Sequence, residues 1–415
     1  MKKNSEDFGF LGLNYVVIIL FCFFIYGIVR FDEDVLLGFI TIITSTSILV
    51  TDYLTIAGFS ATILNVMLIL IFNLILLKIY KVKMRGVSFA AIFTVFGFAF
   101  FGKNILNILP IYIGTYLFSK YENENFSKYV VISMFATGLS PIVSFGFDRS
   151  YWMCILGVIL GIIYGFVIPT FSAHVIRFHN GYSLYNTGFA GGICAIIIYG
   201  VLKTFNIESY SKSVYESNYA FELNMIILVI SLMYLIIGLV TKDNKKSYKK
   251  LLSMSGRAVT DFTMIFGRAL TYINIGSIGL IALVVILITR VPTSGVVFGA
   301  TSTIIGFGAF GKHPKNIIPI MIGVLIVGHL VNNGFNNDIL VAALFSTTLA
   351  PIAGDFGFVA GMVAGGLHYS IVTSSSDWQG GMNLYNNGFA SGFVAAIMGS
   401  ILDTINLKKY FRKRG

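Results

Sequence analysis

The residues best suited to binding chemistry in this chain occur twice, in the same order. The sequence Leu-Tyr-Asn-x-Gly-Phe-Ala covers residues 184–190 and again residues 384–390, and each copy leads into an apolar segment. An asparagine amide offers one acceptor and two donors, and a tyrosine offers a hydroxyl, which suits a small polar solute. A polar side chain inside an apolar segment is costly in lipid unless it is paired or lines a cavity. The candidate substrate-binding residues of this motif are Tyr185, Asn186, Tyr385 and Asn386.

The same motif also has a purely structural interpretation. Its glycines would let two helices approach closely, and its asparagine would cap or bond a neighbouring helix. The duplication favours a functional role, because matched polar motifs in two halves of a membrane protein are typical of a site at the repeat interface.

Two lysines form the next candidate pair. Lys103 and Lys312 each follow a Phe-Gly dipeptide just before an apolar segment, and they lie 209 residues apart. An ammonium group at such a place could present its charge to an anion or to a carbonyl group of a substrate. In the structural alternative, each lysine snorkels at a helix end and binds carbonyl oxygens. We include both lysines among the candidate substrate-binding residues.

Two aspartates also occupy matched positions. Asp52 and Asp261 each follow a threonine and precede a long apolar segment. This is the spacing of an N-terminal helix cap, and we expect each carboxylate to cap the helix that follows it. The alternative is a carboxylate pair that carries protons or Na⁺ in ion-coupled transport.

The sequence contains no recognisable pattern of an enzyme. Its five histidines do not have a metal-ligand spacing, and its three cysteines lie singly in apolar segments. The sequence contains neither a nucleophile elbow nor a P-loop. We therefore expect no catalytic residue, no metal site and no cofactor, and we do not expect an enzyme.

Composition determines the class of protein that must position these residues. Of the 415 residues, 56% are hydrophobic and only 11% are charged, and several apolar segments approach the length of a membrane span. The sequence predicts an all-α, polytopic bundle of transmembrane helices whose main partner is the lipid bilayer. The net charge of +11 comes from basic residues between apolar segments, so we expect no nucleic-acid partner.

Matched motifs along the whole chain indicate an internal duplication. The pairs that follow one another in the same order are Leu-Asn at 13–14 and 223–224, Thr-Asp at 51–52 and 260–261, Phe-Gly-Lys at 101–103 and 310–312, and Asn-Ile at 107–108 and 316–317. The sequence therefore divides into a first transmembrane repeat at residues 1–216 and a second at residues 217–415. The two Gly-Lys pairs interrupt long apolar stretches, so we expect broken or re-entrant helices there.

Basic residues indicate the orientation of the two repeats. They cluster at residues 78–85, 242–250 and 408–414, and we place these clusters and both termini in the cytoplasm of a bacterial cell with an inner membrane. Residues 205–219 lie one helix before a cytoplasmic loop and should be outside, whereas the matching point after the second motif is the cytoplasmic tail. The two halves are therefore expected to form inverted repeats.

The Gly-x-x-x-Tyr-Asn motif resembles a signature of the urea transporter family, which carries a similar motif once in each of two inverted halves. The matching positions are Gly181, Tyr185, Asn186, Gly381, Tyr385 and Asn386. Leu184 and Leu384 depart from the family pattern, which usually has glycine there. The resemblance implies a homotrimer in which each protomer has its own pore for a small neutral amide.

The chain as a whole resembles an uncharacterised family of bacterial integral-membrane proteins, from which no function follows. Our functional prediction is a channel or transporter for a small polar solute, with its pathway between the two asparagine motifs. An ion-coupled transporter that uses Asp52 and Asp261 is one alternative. A non-transporting membrane scaffold or accessory subunit is the other.

Overall fold

The computed structural model describes residues 4–210, 213–216, 218–243 and 247–412, with side chains described from residue 12 to residue 405 outside those gaps. Some of the basic residues that predict the membrane orientation of the repeats lie outside the described residues. This applies to Lys245 and Lys246 of the second basic cluster, and to Lys413 and Arg414 of the third.

Each half of the described chain contains nine α-helices, which confirms the all-α prediction. The helices of the first half are α1 (Asn4–Phe31), α2 (Val35–Thr44), α3 (Tyr53–Ile79), α4 (Gly86–Phe98), α5 (Ile105–Tyr121), α6 (Val130–Ala136), α7 (Pro141–Ser144), α8 (Tyr151–Val175) and α9 (Asn186–Thr204). Those of the second half are α10 (Ala220–Val240), α11 (Tyr248–Leu251), α12 (Phe262–Thr289), α13 (Gly295–Phe307), α14 (Pro314–Asn332), α15 (Asn337–Ser346), α16 (Ala350–Phe356), α17 (Phe358–Trp378) and α18 (Asn386–Arg412). Short 3₁₀ turns join α5 to α6, α6 to α7 and α15 to α16.

The outer surface of this bundle is apolar, as a lipid-facing surface must be. Nine helical segments within the described residues are long and apolar enough to cross a membrane. Large apolar side chains such as Val29, Trp152 and Val240 are exposed on them. A soluble protein rarely exposes so much contiguous apolar surface, so the bundle is that of a multi-pass membrane protein.

Both Gly-Lys pairs interrupt helical segments, as the sequence predicts. α4 has only 13 residues, about 20 Å of helix, which is too short to cross the roughly 30 Å hydrocarbon core alone. Gly102 follows with a φ of +80°, in the left-handed region, and Gly311 repeats this with +83°. The carbonyl oxygens freed by the first break accept hydrogen bonds from the Asn65 amide, and those of the second accept from Asn274.

Two further breaks, at Gly58 in α3 and Gly267 in α12, were not predicted. The φ of these glycines is +78° and +79°, respectively, and each helix continues beyond its break. Glu33 accepts hydrogen bonds from the backbone N–H groups of Phe59 and Ser60 at 2.8 and 2.7 Å, and so caps the restarted α3. Asp243 caps the restarted α12 in the same way. A carboxylate from a distant loop therefore replaces the missing turn.

Helices at matched positions of the two halves pack against each other in opposite directions at the centre of the bundle. The start of α4 lies against the end of α13, since a Cβ added to Gly86 would come within 2.3 Å of the Ala309 carbonyl oxygen. Farther along, a Cβ on Gly97 would lie 2.5 Å from the Gly299 carbonyl oxygen. Inversion of the whole halves across a membrane, and the boundary at residues 216 and 217, remain predictions.

Candidate functional site

The two asparagine motifs meet at the centre of the molecule, where each begins a helix. A Cβ added to Gly188 of α9 would lie 3.2 Å from the Cα atom of Gly388 of α18, so the two helices cross at their glycines. The rings of Phe189 and Phe389 stack across the same crossing, with centroids 6.2 Å apart. The loop before each helix also bonds to the opposite half, since Leu184 N–H donates to the Thr348 carbonyl oxygen.

The amide of Asn186 anchors its motif to the preceding helix. Its nitrogen donates to the carbonyl oxygen of Ser172 at 2.7 Å and to its hydroxyl at 3.0 Å. Its oxygen lies 3.0 Å from Nε2 of His179. These contacts use most of the hydrogen-bonding capacity of the amide, which leaves it little to offer a solute.

Asn386 makes a corresponding set of contacts in the second half. Its oxygen accepts from the Ser375 hydroxyl at 2.7 Å and from the Gln379 amide at 2.9 Å, while its nitrogen donates to the Val372 carbonyl oxygen. Each asparagine therefore positions the start of its helix. The hydroxyl group of the neighbouring tyrosine does not take part in these contacts and binds a lysine instead.

The lysines and tyrosines form two reciprocal pairs across the halves. The Lys103 ammonium donates to the Tyr385 hydroxyl at 2.6 Å, and the Lys312 ammonium donates to the Tyr185 hydroxyl at 2.6 Å. Lys312 also donates to the hydroxyl of Thr347 at 2.7 Å. Each lysine of one half thus binds the motif tyrosine of the other half. We call these contacts the lysine–tyrosine pairs.

Both lysines are completely buried, and neither reaches a helix end that faces water. They therefore do not snorkel, and the structural alternative set out for them is wrong in that form. Each ammonium also lies over the ring of its tyrosine, 4.7 Å from the centroid for Lys103 and 4.3 Å for Lys312. The ring face contributes cation–π attraction to an ammonium that has left water.

The leucines that depart from the urea transporter pattern have a structural reason. A Cβ added to Gly102 would lie 2.4 Å from a methyl carbon of Leu384, and one added to Gly311 would lie 3.1 Å from Leu184. Each leucine therefore covers the Gly-Lys break of the opposite half. A glycine in its place would leave that break open.

Two cavities lie on either side of the crossing, and their walls are built from matched residues. The first has a volume of about 460 Å³ and the second about 300 Å³. Matched lining residues, with the first cavity given first, are Val87 and Val296, Phe310 and Phe101, Val259 and Val50, Val131 and Val341, and Asn186 and Asn386. Tyr185 and Tyr385 both line the first cavity.

The two cavities share three lining side chains. Phe345, Leu384 and Asn387 line both of them, and we call these three residues the septum. Sequence reasoning did not select Asn387, although it is the position where the second motif has an amide and the first has Thr187. His368, which is also buried, holds this amide through a 2.9 Å contact between Nε2 and the asparagine oxygen.

Matched positions at the outer ends of the two cavities carry opposite charges. Lys128 lines the first cavity and Asp338 lines the second, and both are exposed. Asp338 accepts a hydrogen bond from the hydroxyl of Tyr215. The two halves thus share a framework but differ in electrostatics.

Asp52 and Asp261 lie away from the septum and act as helix caps, as expected. Asp52 accepts from the Leu54 N–H at 3.0 Å and from the Gly295 N–H at 2.8 Å, at the first residue of α13. Asp261 accepts from the Thr263 N–H at 3.0 Å and from the Gly86 N–H at 3.0 Å, at the first residue of α4. Each carboxylate therefore caps one helix of its own half and one of the other.

Within the residues that the structure describes, no group of three histidine, cysteine, aspartate or glutamate side chains is placed to hold a metal ion. The candidate site therefore consists of hydroxyl, amide and ammonium groups set in aromatic walls. Such groups bind and orient a solute.

A bundle of apolar helices with paired breaks and a central polar crossing defines a polytopic α-helical membrane protein. The chain belongs to the family described as "Protein of unknown function (DUF1576)", whose model matches it twice, at residues 31–204 and 240–404. This agrees with the resemblance to an uncharacterised membrane-protein family. Neither a curated protein nor a solved structure matches the chain.

Proposed function

We propose that this protein is a channel or transporter for a small polar solute. The observation that supports the proposal is the pair of cavities with matched walls that approach each other at the septum. A cavity on each side of a thin barrier is the arrangement that alternating access or gated conduction requires. A scaffold needs no such cavities, and a fully packed interface between the halves would have favoured it.

In this proposal, the solute enters one cavity, passes the septum at Asn387 and leaves through the other. Tyr185 and Tyr385 line the first cavity, and their hydroxyl groups would replace water around the solute. Asn186 and Asn386 hold the helix starts that carry those tyrosines. The lysine–tyrosine pairs would couple the tyrosine of one half to the Gly-Lys break of the other, so movement of one half would be transmitted across the crossing.

The ion-coupled alternative receives less support from the contacts of its two carboxylates. Both oxygens of Asp52 and Asp261 accept backbone N–H groups. A cation would have to compete with these hydrogen bonds, or protonation would have to break some of them. We therefore propose a pathway that does not use these aspartates.

We further propose that the halves are inverted repeats in a bacterial inner membrane with both termini in the cytoplasm. The opposite directions of α4 and α13, and the reciprocal form of the lysine–tyrosine pairs, support a pseudo-two-fold axis in the membrane plane. The homotrimer that the urea transporter resemblance implies remains a prediction.

Cysteine labelling at two matched positions tests the inversion. Lys81 and Arg290 lie just after the ends of α3 and α12, and both are exposed with a left-handed backbone. In a background without Cys22, Cys154 and Cys194, we expect a membrane-impermeant maleimide to label Arg290→Cys on intact cells. We expect it to label Lys81→Cys only after the membrane is permeabilised. Labelling of both positions from the same side would contradict the inverted arrangement.

Solute flux through reconstituted protein tests the pathway. In the same cysteine-free background, Asn387→Cys places a thiol in the septum, whereas Thr187→Cys is its matched control because Thr187 lines only the first cavity. We expect a bulky impermeant thiol reagent to reach Asn387→Cys from either side and Thr187→Cys from one side. Modification of Asn387→Cys should reduce flux at least about tenfold, because the reagent fills the septum.

The measurement is uptake of small amides, polyols and organic ions into proteoliposomes, before and after modification confirmed by mass spectrometry. Absence of uptake for every solute would contradict transport. Unchanged uptake after complete modification of Asn387→Cys would contradict a pathway through the septum while leaving transport itself intact.

A further inference from the structure

We infer that the solute is a small organic monoanion, such as a short monocarboxylate; this inference rests on the proposed function. Its basis is the charge of the two lysine–tyrosine pairs. Lys103 and Lys312 place two ammonium groups in the interior of a membrane bundle, both with no exposed surface. Among the described residues, neither ammonium has a carboxylate within 4 Å. Buried cations inside a membrane protein normally have an anionic partner, and none of the described residues supplies one to these two lysines.

The missing negative charge can be supplied from the first cavity. Tyr185 and Tyr385 line that cavity and accept the hydrogen bonds of the two ammonium groups, so each tyrosine connects a buried lysine to the cavity wall. Donation into a hydroxyl oxygen polarises its O–H bond and makes it a stronger donor. A carboxylate oxygen is the acceptor that gains most from two such donors, because it also feels the positive charge behind them.

The charges along the cavity walls favour the same sign of solute. Lys128 at the outer end is the charged residue that lines the first cavity, where its ammonium forms an ion pair with Glu124, and no carboxylate belongs to the described lining. In the second cavity the charged residue is Asp338, whose oxygen accepts the Tyr215 hydroxyl. The attraction for an anion would therefore come mainly from the two lysines at the centre, which the first cavity approaches through Tyr185 and Tyr385, whereas the second cavity carries a carboxylate.

The remaining wall determines the kind of anion. Phe135, Phe307 and Phe345 supply an apolar aromatic surface, and Thr94 and Thr303 supply isolated hydroxyl groups. Such a wall accommodates an apolar carbon skeleton beside the charged end of a solute. A volume of about 460 Å³ accommodates a molecule of a few carbon atoms together with some water. A short monocarboxylate has both the charged end and the apolar end that the cavity fits.

The test compares lactate with lactamide, which has the same carbon skeleton but no charge. Uptake of each radiolabelled compound into proteoliposomes is measured with a valinomycin-clamped potential. We expect protein-dependent lactate uptake that increases when the interior is positive. In the Lys103→Met, Lys312→Met double variant, lactate uptake should fall about tenfold or more, because two positive charges behind the tyrosines are lost. Methionine fits the apolar surroundings that the lysine stems already occupy.

Lys128→Met is the matched control, because this lysine is exposed and screened by water, so its loss should change lactate uptake less than about threefold. Thermal unfolding of the methionine double variant is measured in detergent in parallel. If that variant does not fold, the double variant Lys103→Gln, Lys312→Gln is used in its place. Uptake of lactamide without lactate would overturn the inference and leave the proposed function standing. Lactate uptake that both folded double variants retain would also overturn it. Uptake of neither compound, nor of any other solute in the panel, would remove the proposed function itself.

Discussion

Asp52→Ala will destabilise the protein by about 2–5 kcal/mol, the largest loss expected from a single substitution outside the septum. Asp52 is fully buried and accepts from the N–H groups of Leu54, Gly295 and Glu216. Alanine removes the acceptor and leaves these donors without a partner where water does not reach. The donors of Leu54 and Gly295 are buried, and each costs about 1–3 kcal/mol when it is left unsatisfied, whereas the Glu216 N–H is only partly buried. Removal of the desolvated carboxylate offsets part of this cost, which leaves about 2–5 kcal/mol.

The measurement is loss of helical circular dichroism as sodium dodecyl sulfate is added to mixed micelles. Asp261→Ala is the matched control, because this carboxylate has the same role but is partly exposed. In Asp261→Ala, water can therefore accept some of the hydrogen bonds that the carboxylate accepts. The decrease in the free energy of unfolding should be smaller than for Asp52→Ala. Asp52→Asn keeps one acceptor oxygen and should retain solute flux without any change in its dependence on ion gradients. Equal stability of Asp52→Ala and the wild type would contradict the capping role, and altered ion dependence in Asp52→Asn would revive ion coupling.

Tyr385→Phe will destabilise the protein by about 2 kcal/mol, through the ammonium that loses its acceptor. Among the described residues, the hydrogen-bond acceptor of the Lys103 ammonium is the Tyr385 hydroxyl, at 2.6 Å. Phenylalanine preserves the ring and its cation–π contact but leaves the buried ammonium without an oxygen. Hydrogen bonds to charged groups contribute about 1.5–3 kcal/mol. The ammonium stays buried in the variant, so its desolvation is no longer compensated by this hydrogen bond.

Two comparisons within the chain make this prediction specific. Tyr185→Phe should lower the free energy of unfolding clearly less than Tyr385→Phe does, because Lys312 keeps the Thr347 hydroxyl at 2.7 Å as a second acceptor. Lys103→Met should remove most of the cost of Tyr385→Phe in a double-mutant cycle, since no ammonium then needs a partner. The same micelle titration gives all four stabilities. Additive effects of Lys103→Met and Tyr385→Phe would show that the two side chains do not depend on each other.

Much of the fold could be predicted from the sequence, because its signals are local. Apolar segment length, the Thr-Asp caps and the Gly-Lys breaks each depend on a few neighbouring residues. Gly102 and Gly311 adopt a left-handed backbone, which glycine allows more readily than any other residue and which commonly ends a helix. The breaks at Gly58 and Gly267 were missed because their caps, Glu33 and Asp243, lie about 25 residues away in the chain.

The candidate site was predictable only in part, since its partners belong to the opposite half. The sequence selected Lys103 and Tyr385 separately, but nothing in their spacing of 282 residues pairs them. It assigned Asn186 a solute-binding role because an amide has four hydrogen-bonding positions, yet Ser172 and His179 occupy most of them. The septum could not be predicted, because Phe345 and Leu384 are apolar residues without a distinguishing sequence pattern. Their shared position between the cavities depends on how the two halves pack.

The reciprocal contacts have a consequence for how the chain folds. Twelve of the thirteen residues of α4 are buried, largely by α13, and Asp261 of the second half caps α4. One half alone would therefore expose an apolar helix and an uncapped helix end. We expect that neither half folds as an independent domain. Although the sequence reads as two units, unfolding should proceed as one cooperative transition, with residues 205–219 acting as a tether that keeps the two halves at high effective concentration.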